Sequence, residues 1–132
     1  MLHDFLEAIP GVTVAGLEIS DYGIAHTMEN VRPFVVKGSC EKLPFPDKSF
    51  DLVLAINTIH NLKGEPLMSS LREMERVSRK HKFLVVDAFE TDEERDRIMK
   101  WVLTAETVVH AREWEALFQE ARYTGDYFWF TP

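Results

Sequence analysis

Phe50-Asp51-Leu52-Val53-Leu54-Ala55-Ile56 is followed, after an amphipathic stretch over residues 66–80, by Lys82-Phe83-Leu84-Val85-Val86-Asp87-Ala88-Phe89. Short apolar runs alternating with amphipathic segments are the pattern of an α/β domain built on a mainly parallel sheet. The nearly continuous Val, Leu, Ile and Phe content of both runs suits strands covered by helices on both faces. Working outward, residues 12–19 and 33–37 read as two earlier strands. The aromatic segment Asp126–Phe130 reads as a last strand, expected to run antiparallel at or near the sheet edge.

The helices follow from spacing and caps. Residues 66–80 carry Leu67, Leu71, Met74 and Val77 on one stripe, with Pro66 where a first helical turn tolerates it. Thr91 followed by Asp92, Glu93 and Glu94 supplies a cap, a reciprocal acid three positions on and negative charge at the positive end of the helix dipole. Trp114, Leu117, Phe118 and Ala121 recur at i, i+3, i+4 and i+7 within residues 112–122, so one face of that helix packs on a core. Residues 21–30 form a weaker helical pattern, and residues 2–8 read as the tail of another helix, closed by Pro10-Gly11.

Composition narrows the class. The chain has 132 residues, 45% apolar and 28% charged, which is the profile of one globular domain and excludes a disordered or collagen-like chain. A lone Cys40 excludes a disulfide scaffold, and no Cys or His pair stands at metal-ligand spacing, so no metal is expected. A formal net charge of -7 is the wrong sign for a protein that lives on phosphate backbones, so nucleic acid is not an expected partner. No apolar run reaches the ~18 residues of a membrane-spanning helix, and residues 1–7 carry acids where a secretory signal is basic and then apolar. A cytoplasmic protein is the expectation.

Glu18 ends the run Val12-Thr13-Val14-Ala15-Gly16-Leu17, and a carboxylate at the carboxyl end of a strand can accept both hydroxyls of a ribose. Taken alone, the same residue also reads as a solvated acid at a strand end. The loop after the next strand carries more: Gly38-Ser39-Cys40-Glu41-Lys42-Leu43-Pro44-Phe45-Pro46-Asp47-Lys48-Ser49-Phe50-Asp51. It closely resembles the segment between the third and fourth strands of class I S-adenosylmethionine-dependent methyltransferases, of the type 11-like group. In that family a glycine, two small or acidic residues, a Leu-Pro-Phe, an acid and a Ser-Phe-Asp recur there. The following Leu54-Ala55-Ile56-Asn57-Thr58-Ile59-His60-Asn61-Leu62 resembles the family's fourth strand and its exit toward the active site.

The resemblance implies a Rossmann-like, doubly wound, mainly parallel sheet and S-adenosylmethionine as cofactor. It implies that Glu18 holds the ribose hydroxyls, that Ile19 covers one face of the adenine, and that Ser39 and the backbone of Cys40 meet the adenine edge. The family more often has Asp at the place of Ser39, and a serine lacks the charge-assisted strength of a carboxylate facing the exocyclic amine. Asn57 would border the methionine part of the cofactor and the substrate mouth. His60, three residues on, is placed for general-base work or for a hydrogen bond to backbone, and Asp87 is a second candidate base.

Other residues have simpler readings. Leu43-Pro44-Phe45 is as much a structural device as a binding one, and Cys40 reads as a small filler rather than a nucleophile. The acids over residues 90–94 read as a helix start. Trp101, Trp114, Phe128 and Trp129 read as core, although Trp101 and Thr104 follow the strand after which substrate-covering segments sit.

One family signature is missing. The chain has no glycine-rich turn, its glycines being Gly11, Gly16, Gly23, Gly38, Gly64 and Gly125. Residues 1–8 therefore read as the helix after that turn, and the expectation is a single, N-terminally incomplete methyltransferase domain over residues 1–132. It would be a fragment of a longer chain, a domain completed by a partner, or a sheet closed without its first strand. The expected function is methyl transfer to a small-molecule acceptor, with copies associating through an exposed sheet edge. The alternative is a non-catalytic remnant or partner subunit.

Overall fold

The computed structural model describes residues 1–132. Its internal contacts gather into two compact units, residues 1–44 and 45–132. The first holds helix α1 (Leu2–Ala8), strand β1 (Gly16–Glu18), helix α2 (Asp21–Ala25) and strand β2 (Val35–Lys37). β1 and β2 pair in parallel, with Gly16 opposite Val35 and Glu18 opposite Lys37. This sheet has only two strands, so β1 is confined to the three residues that β2 can pair and does not extend over residues 12–19. The helical pattern of residues 21–30 likewise resolves into the single turn of α2, capped by Ser20.

The second unit holds β3 (Phe50–Ile56), α3 (Gly64–Val77), β4 (Ser78–Phe89), α4 (Asp92–Trp101), β5 (Val109–His110), α5 (Ala111–Ala121) and β6 (Asp126–Phe130). β4 lies at its centre: β3 pairs along one side, Leu54 opposite Phe83, and β6 along the other, Leu84 opposite Tyr127. β5 continues against the end of β4, Ala88 opposite Val109. All these pairings are parallel, so the antiparallel direction expected for the last strand is corrected. The reason is the connection: α5 carries the chain back across the sheet, and a strand reached through such a crossover enters parallel.

β4 also begins earlier than its apolar run. The chain passes from α3 into extended structure at Ser78 without a loop, and an irregularity in the pairing sets Arg79 and Lys80 against Asp51. Arg79 Nε lies 2.9 Å from the Asp51 carboxylate, which fills the start of a strand that reads as polar. Glu75 of α3 meets Lys82 of β4 at 3.2 Å and accepts from the Thr124 hydroxyl at 2.9 Å, tying the turn before β6 to the same sheet.

The core lies on one face of this sheet. Alternation along β4 turns Leu84, Val86 and Ala88 toward α3 and α5, where they join Leu67, Leu71, Met74, Trp114 and Phe118 in one buried cluster. α5 is capped at both ends. His110 accepts from Arg112 N–H while the Glu113 carboxylate accepts from His110 N–H, and Arg122 closes α5 in the left-handed conformation at φ 56°. Thr91 and Glu94 form the expected capping box at the start of α4.

The opposite face is covered only in part. Leu52 and Ile56 of β3 and Phe128 of β6 remain exposed, which corrects the expectation of strands buried on both faces. Trp114 is fully buried and Trp129 packs against the core, but Trp101 and Phe128 are more than half exposed and are not core residues. No helix is long and apolar enough to cross a membrane.

Candidate active site

In the first unit, Glu18 stands at the carboxyl end of β1 with its carboxylate held by the residue that starts the next helix. Ser20 donates to Glu18 Oε1 twice, from its backbone N–H and from its hydroxyl, each at 2.9 Å. The same hydroxyl accepts from Gly23 N–H at 2.9 Å, so one serine both caps α2 and orients the acid. These two donations hold the Glu18 carboxyl below the usual carboxylate value, against a small opposing effect of burial. Gly23 supplies the room: a Cβ there would stand 2.5 Å from Glu18 Cδ. Ile19 is exposed beside it. Ser39 and Cys40 follow β2 half-buried, and the Ser39 hydroxyl is engaged by Glu41, donating to its carboxylate at 3.2 Å and accepting from its N–H at 3.3 Å.

At the start of the second unit, the segment from Phe45, the last residue of the Leu-Pro-Phe motif, is pinned by Arg76. Arg76 donates to the Phe45 carbonyl and to the Asp47 carboxylate, both at 2.8 Å, and pairs with Glu73 at 2.7 Å. Those carboxylates raise the Arg76 guanidinium above its usual value. Phe45 meets Phe50 edge to face at 4.9 Å. The structural reading of this part of the motif therefore has a partner that spacing alone does not reveal.

β3 ends at Ile56. Asn57 takes a left-handed turn at φ 50°, a conformation Asn tolerates better than most residues, and donates its N–H to the Val85 carbonyl at 3.0 Å. Two residues further along β4, a backbone donor is met by a side chain. The Asp87 N–H donates to His60 Nδ1 at 3.1 Å. The His60 carbonyl in turn accepts from the N–H groups of Glu106 and Thr107, both at 2.9 Å, which fixes the short turn that carries the ring.

This geometry settles the tautomer. Nδ1 accepts, so the neutral ring carries its proton on Nε2. Burial pushes His60 below the usual imidazole value, with the Asp87 charge opposing, so the neutral form is favoured. Asp87 itself is 3% exposed, and its carbonyl accepts from Trp114 Nε1 at 3.0 Å. Its carboxylate receives no hydrogen bond; the nearest ring nitrogen, His60 Nδ1, stands 3.6 Å from Oδ1, beyond hydrogen-bond reach. Burial raises the Asp87 carboxyl above its usual value.

No side-chain oxygen sealed from solvent lacks a partner, so these oxygens face open space. That space is a pocket of about 270 Å³ lined by Asn57, His60, Asp87, Trp101, Leu103 and Thr104, among others. Thr104 is held by its hydroxyl on Asn61 Oδ1 at 3.0 Å. The structure thus brings Asn57, His60 and Asp87 together, and adds Leu103, which the sequence reading passed over.

Comparison with known proteins decides the family. The methyltransferase domain family matches residues 3–86. The chain belongs to the class I methyltransferases. This methyltransferase domain is 33% identical over 96 residues to the sterol 4-C-methyltransferase strm-1 of Caenorhabditis elegans, covering 70% of this chain and 28% of that protein. A S-adenosylmethionine-dependent methyltransferase from Thermotoga maritima is 27% identical, with a TM-score of 0.57 over 80% of this chain and 53% of that one. The YcgJ protein of Bacillus subtilis, 21% identical, shares the fold with a TM-score of 0.62 over 81% of this chain and 50% of its own. The methyltransferase domain therefore spans about half the length of these solved relatives and 28% of the curated one.

The family implies S-adenosylmethionine, and the surroundings of Glu18 fit its ribose. A ribose diol offers two donors, and an ionised carboxylate is acceptor-only, with about four acceptor sites, of which the two Ser20 donations use a part.

Proposed function

We propose that the chain carries S-adenosylmethionine-dependent methyl transfer to a small-molecule acceptor in the cytoplasm. The observation that carries this reading is the Glu18 carboxylate, ionised and aimed by Ser20 at the end of a parallel strand. Residues 1–132 are read as one methyltransferase domain, since the family match runs across both units. In the first unit, Glu18 would take the ribose hydroxyls, Ile19 an adenine face, and Ser39 with the backbone of Cys40 the adenine edge. Ser39 Oγ would have to leave Glu41 to do so. In the second, Asn57 would border the acceptor pocket.

The bound cofactor would supply an electrophilic methyl carbon on a sulfonium. The protein's task is then to align the acceptor and, where the acceptor carries a proton, to take it. Asp87 suits that second task better than His60. The Nδ1 lone pair of His60 is spent on the Asp87 N–H, whereas the Asp87 carboxylate is open to the pocket and uncommitted. His60 becomes the positioning residue that holds the backbone of β4 at Asp87.

Glu18→Ala is the test of the cofactor reading. Losing two charge-assisted hydrogen bonds is expected to weaken S-adenosylmethionine binding by about 2–4 kcal/mol in calorimetric titration. Unchanged affinity would return Glu18 to a solvated strand end. Self-association belongs to the same proposal. β3 pairs only with β4, leaving its other edge unpaired beside the exposed Leu52 and Ile56. Sedimentation at rising concentration is expected to show copies of the chain associating, and a monomer throughout would remove that part.

A further inference from the structure

The pocket at the end of β4 has an unusual balance of charge. Its one carboxylate, on Asp87, is 5% exposed, and no hydrogen bond reaches its oxygens. The only other titratable side chain of the lining is His60, which favours the neutral form, and no Lys or Arg is among the lining residues. An acid so enclosed costs free energy unless something supplies a donor or a positive charge. The protein supplies no donor, and its one nearby group able to carry positive charge, His60 at 3.6 Å, favours the neutral form.

The rest of the lining points to what would. Trp101, Val102, Leu103 and Ala105 add aromatic and aliphatic surface to the lining, and Trp101 is more than half exposed rather than packed into the core. A carboxylate and an indole lining one pocket are a pairing that recognises an alkylammonium group, whose charge meets the acid while its carbon skeleton and cationic face lie against the ring. A pocket of about 270 Å³ admits a small ligand or the head of a longer one.

We infer that this pocket selects a primary or secondary amine, bound as its ammonium through Asp87 with its carbon stem against Trp101. The inference rests on the methyl-transfer reading, and names the class of acceptor for it. It also joins binding to chemistry. An ammonium has no lone pair, and the proton it must give up passes from nitrogen to an Asp87 oxygen, leaving a neutral amine and a neutral acid side by side. Asp87 is suited to receive it because burial raises its carboxyl above the usual carboxylate value, which makes it the stronger base. His60, through Nδ1, keeps the backbone of Asp87 fixed while the carboxylate changes charge.

The experiment compares two probes of nearly equal shape, 2-phenylethylamine and 2-phenylethanol, titrated into the 132-residue chain without cofactor. Tryptophan fluorescence and the imidazole resonances of His60 report binding. The amine is expected to bind at least about tenfold more tightly than the alcohol. Asp87→Asn, with its fold checked by circular dichroism, should bring the two probes to within about twofold of one another. Equal binding by the wild-type chain overturns the inference. So does a preference that survives Asp87→Asn, or no binding of the amine up to about 10 mM. The underlying reading fails differently: an amine held through Asp87 but never methylated would remove methyl transfer and leave the ammonium site. Methyl transfer to a carbon or thiol acceptor without amine preference would do the reverse.

Discussion

Asp87→Asn is expected to slow methyl transfer by about 10²- to 10⁴-fold, the usual range for loss of a general base, while leaving S-adenosylmethionine affinity within about twofold. Asparagine keeps the size of the side chain and leaves the backbone bonds to His60 and Trp114 in place, but it cannot take a proton. Steady-state kinetics beside calorimetric titration checks both halves. The companion substitutions separate the roles of the pair. His60→Gln can still offer an oxygen to the Asp87 N–H and should retain most of the rate, whereas His60→Leu leaves that donor buried and unpaired and should not. A wild-type rate in Asp87→Asn would show that the acceptor needs no base at this position.

Trp114→Ala is expected to destabilise the second unit by about 3–5 kcal/mol, read from the midpoint of urea unfolding. The residue is fully buried, its ring lies 5.8 Å from that of Phe118, and its Nε1 donates to the Asp87 carbonyl. Truncation opens a cavity between α5 and β4 and strips a buried carbonyl of its donor. Against a typical domain stability of about 5–15 kcal/mol, such a loss leaves the fold marginal. Trp114→Phe keeps most of the packing and removes only the hydrogen bond, so it should cost about 1–3 kcal/mol and loosen the end of β4. A change in Trp114→Ala below about 1 kcal/mol would mean that the second unit does not depend on this contact.

Elements whose signals are local could be read directly from the chain. The Thr91–Glu94 box, the stripe of α3 and the apolar run of β3 each lie within a few residues, and each forms as its pattern implies. Features that depend on partners could not. Residues 12–19 read as a long strand, but β2 offers only three residues to pair with. Residues 79–80 read as a helix end, yet Asp51, far away in sequence, draws Arg79 into the sheet. The direction of β6 depended on whether α5 makes a crossover, not on the aromatic residues of the strand itself.

At the site, Glu18, His60 and Asp87 were visible as residue types at strand ends, because polar groups there stand out against apolar runs. Their division of labour was not. It depends on a ring nitrogen meeting a backbone N–H 27 residues away, which sets the tautomer and leaves the carboxylate open. The exposure of Trp101 was equally hidden, since an aromatic at the end of an amphipathic helix reads as buried.

Gly23 carries a different kind of constraint. It lies inside α2, and its backbone is not in the left-handed region where glycine is ordinarily required. What holds the position to glycine is its neighbour: the space a methyl group would take is filled by the carboxylate carbon of Glu18. Positions 18 and 23 thus hold one piece of information between them. A chain with any side chain at 23 must aim its acid elsewhere, and a chain that gives up the acid is free to fill 23. A reader looking for glycines that turn the backbone would pass over this one, because its role is to be absent.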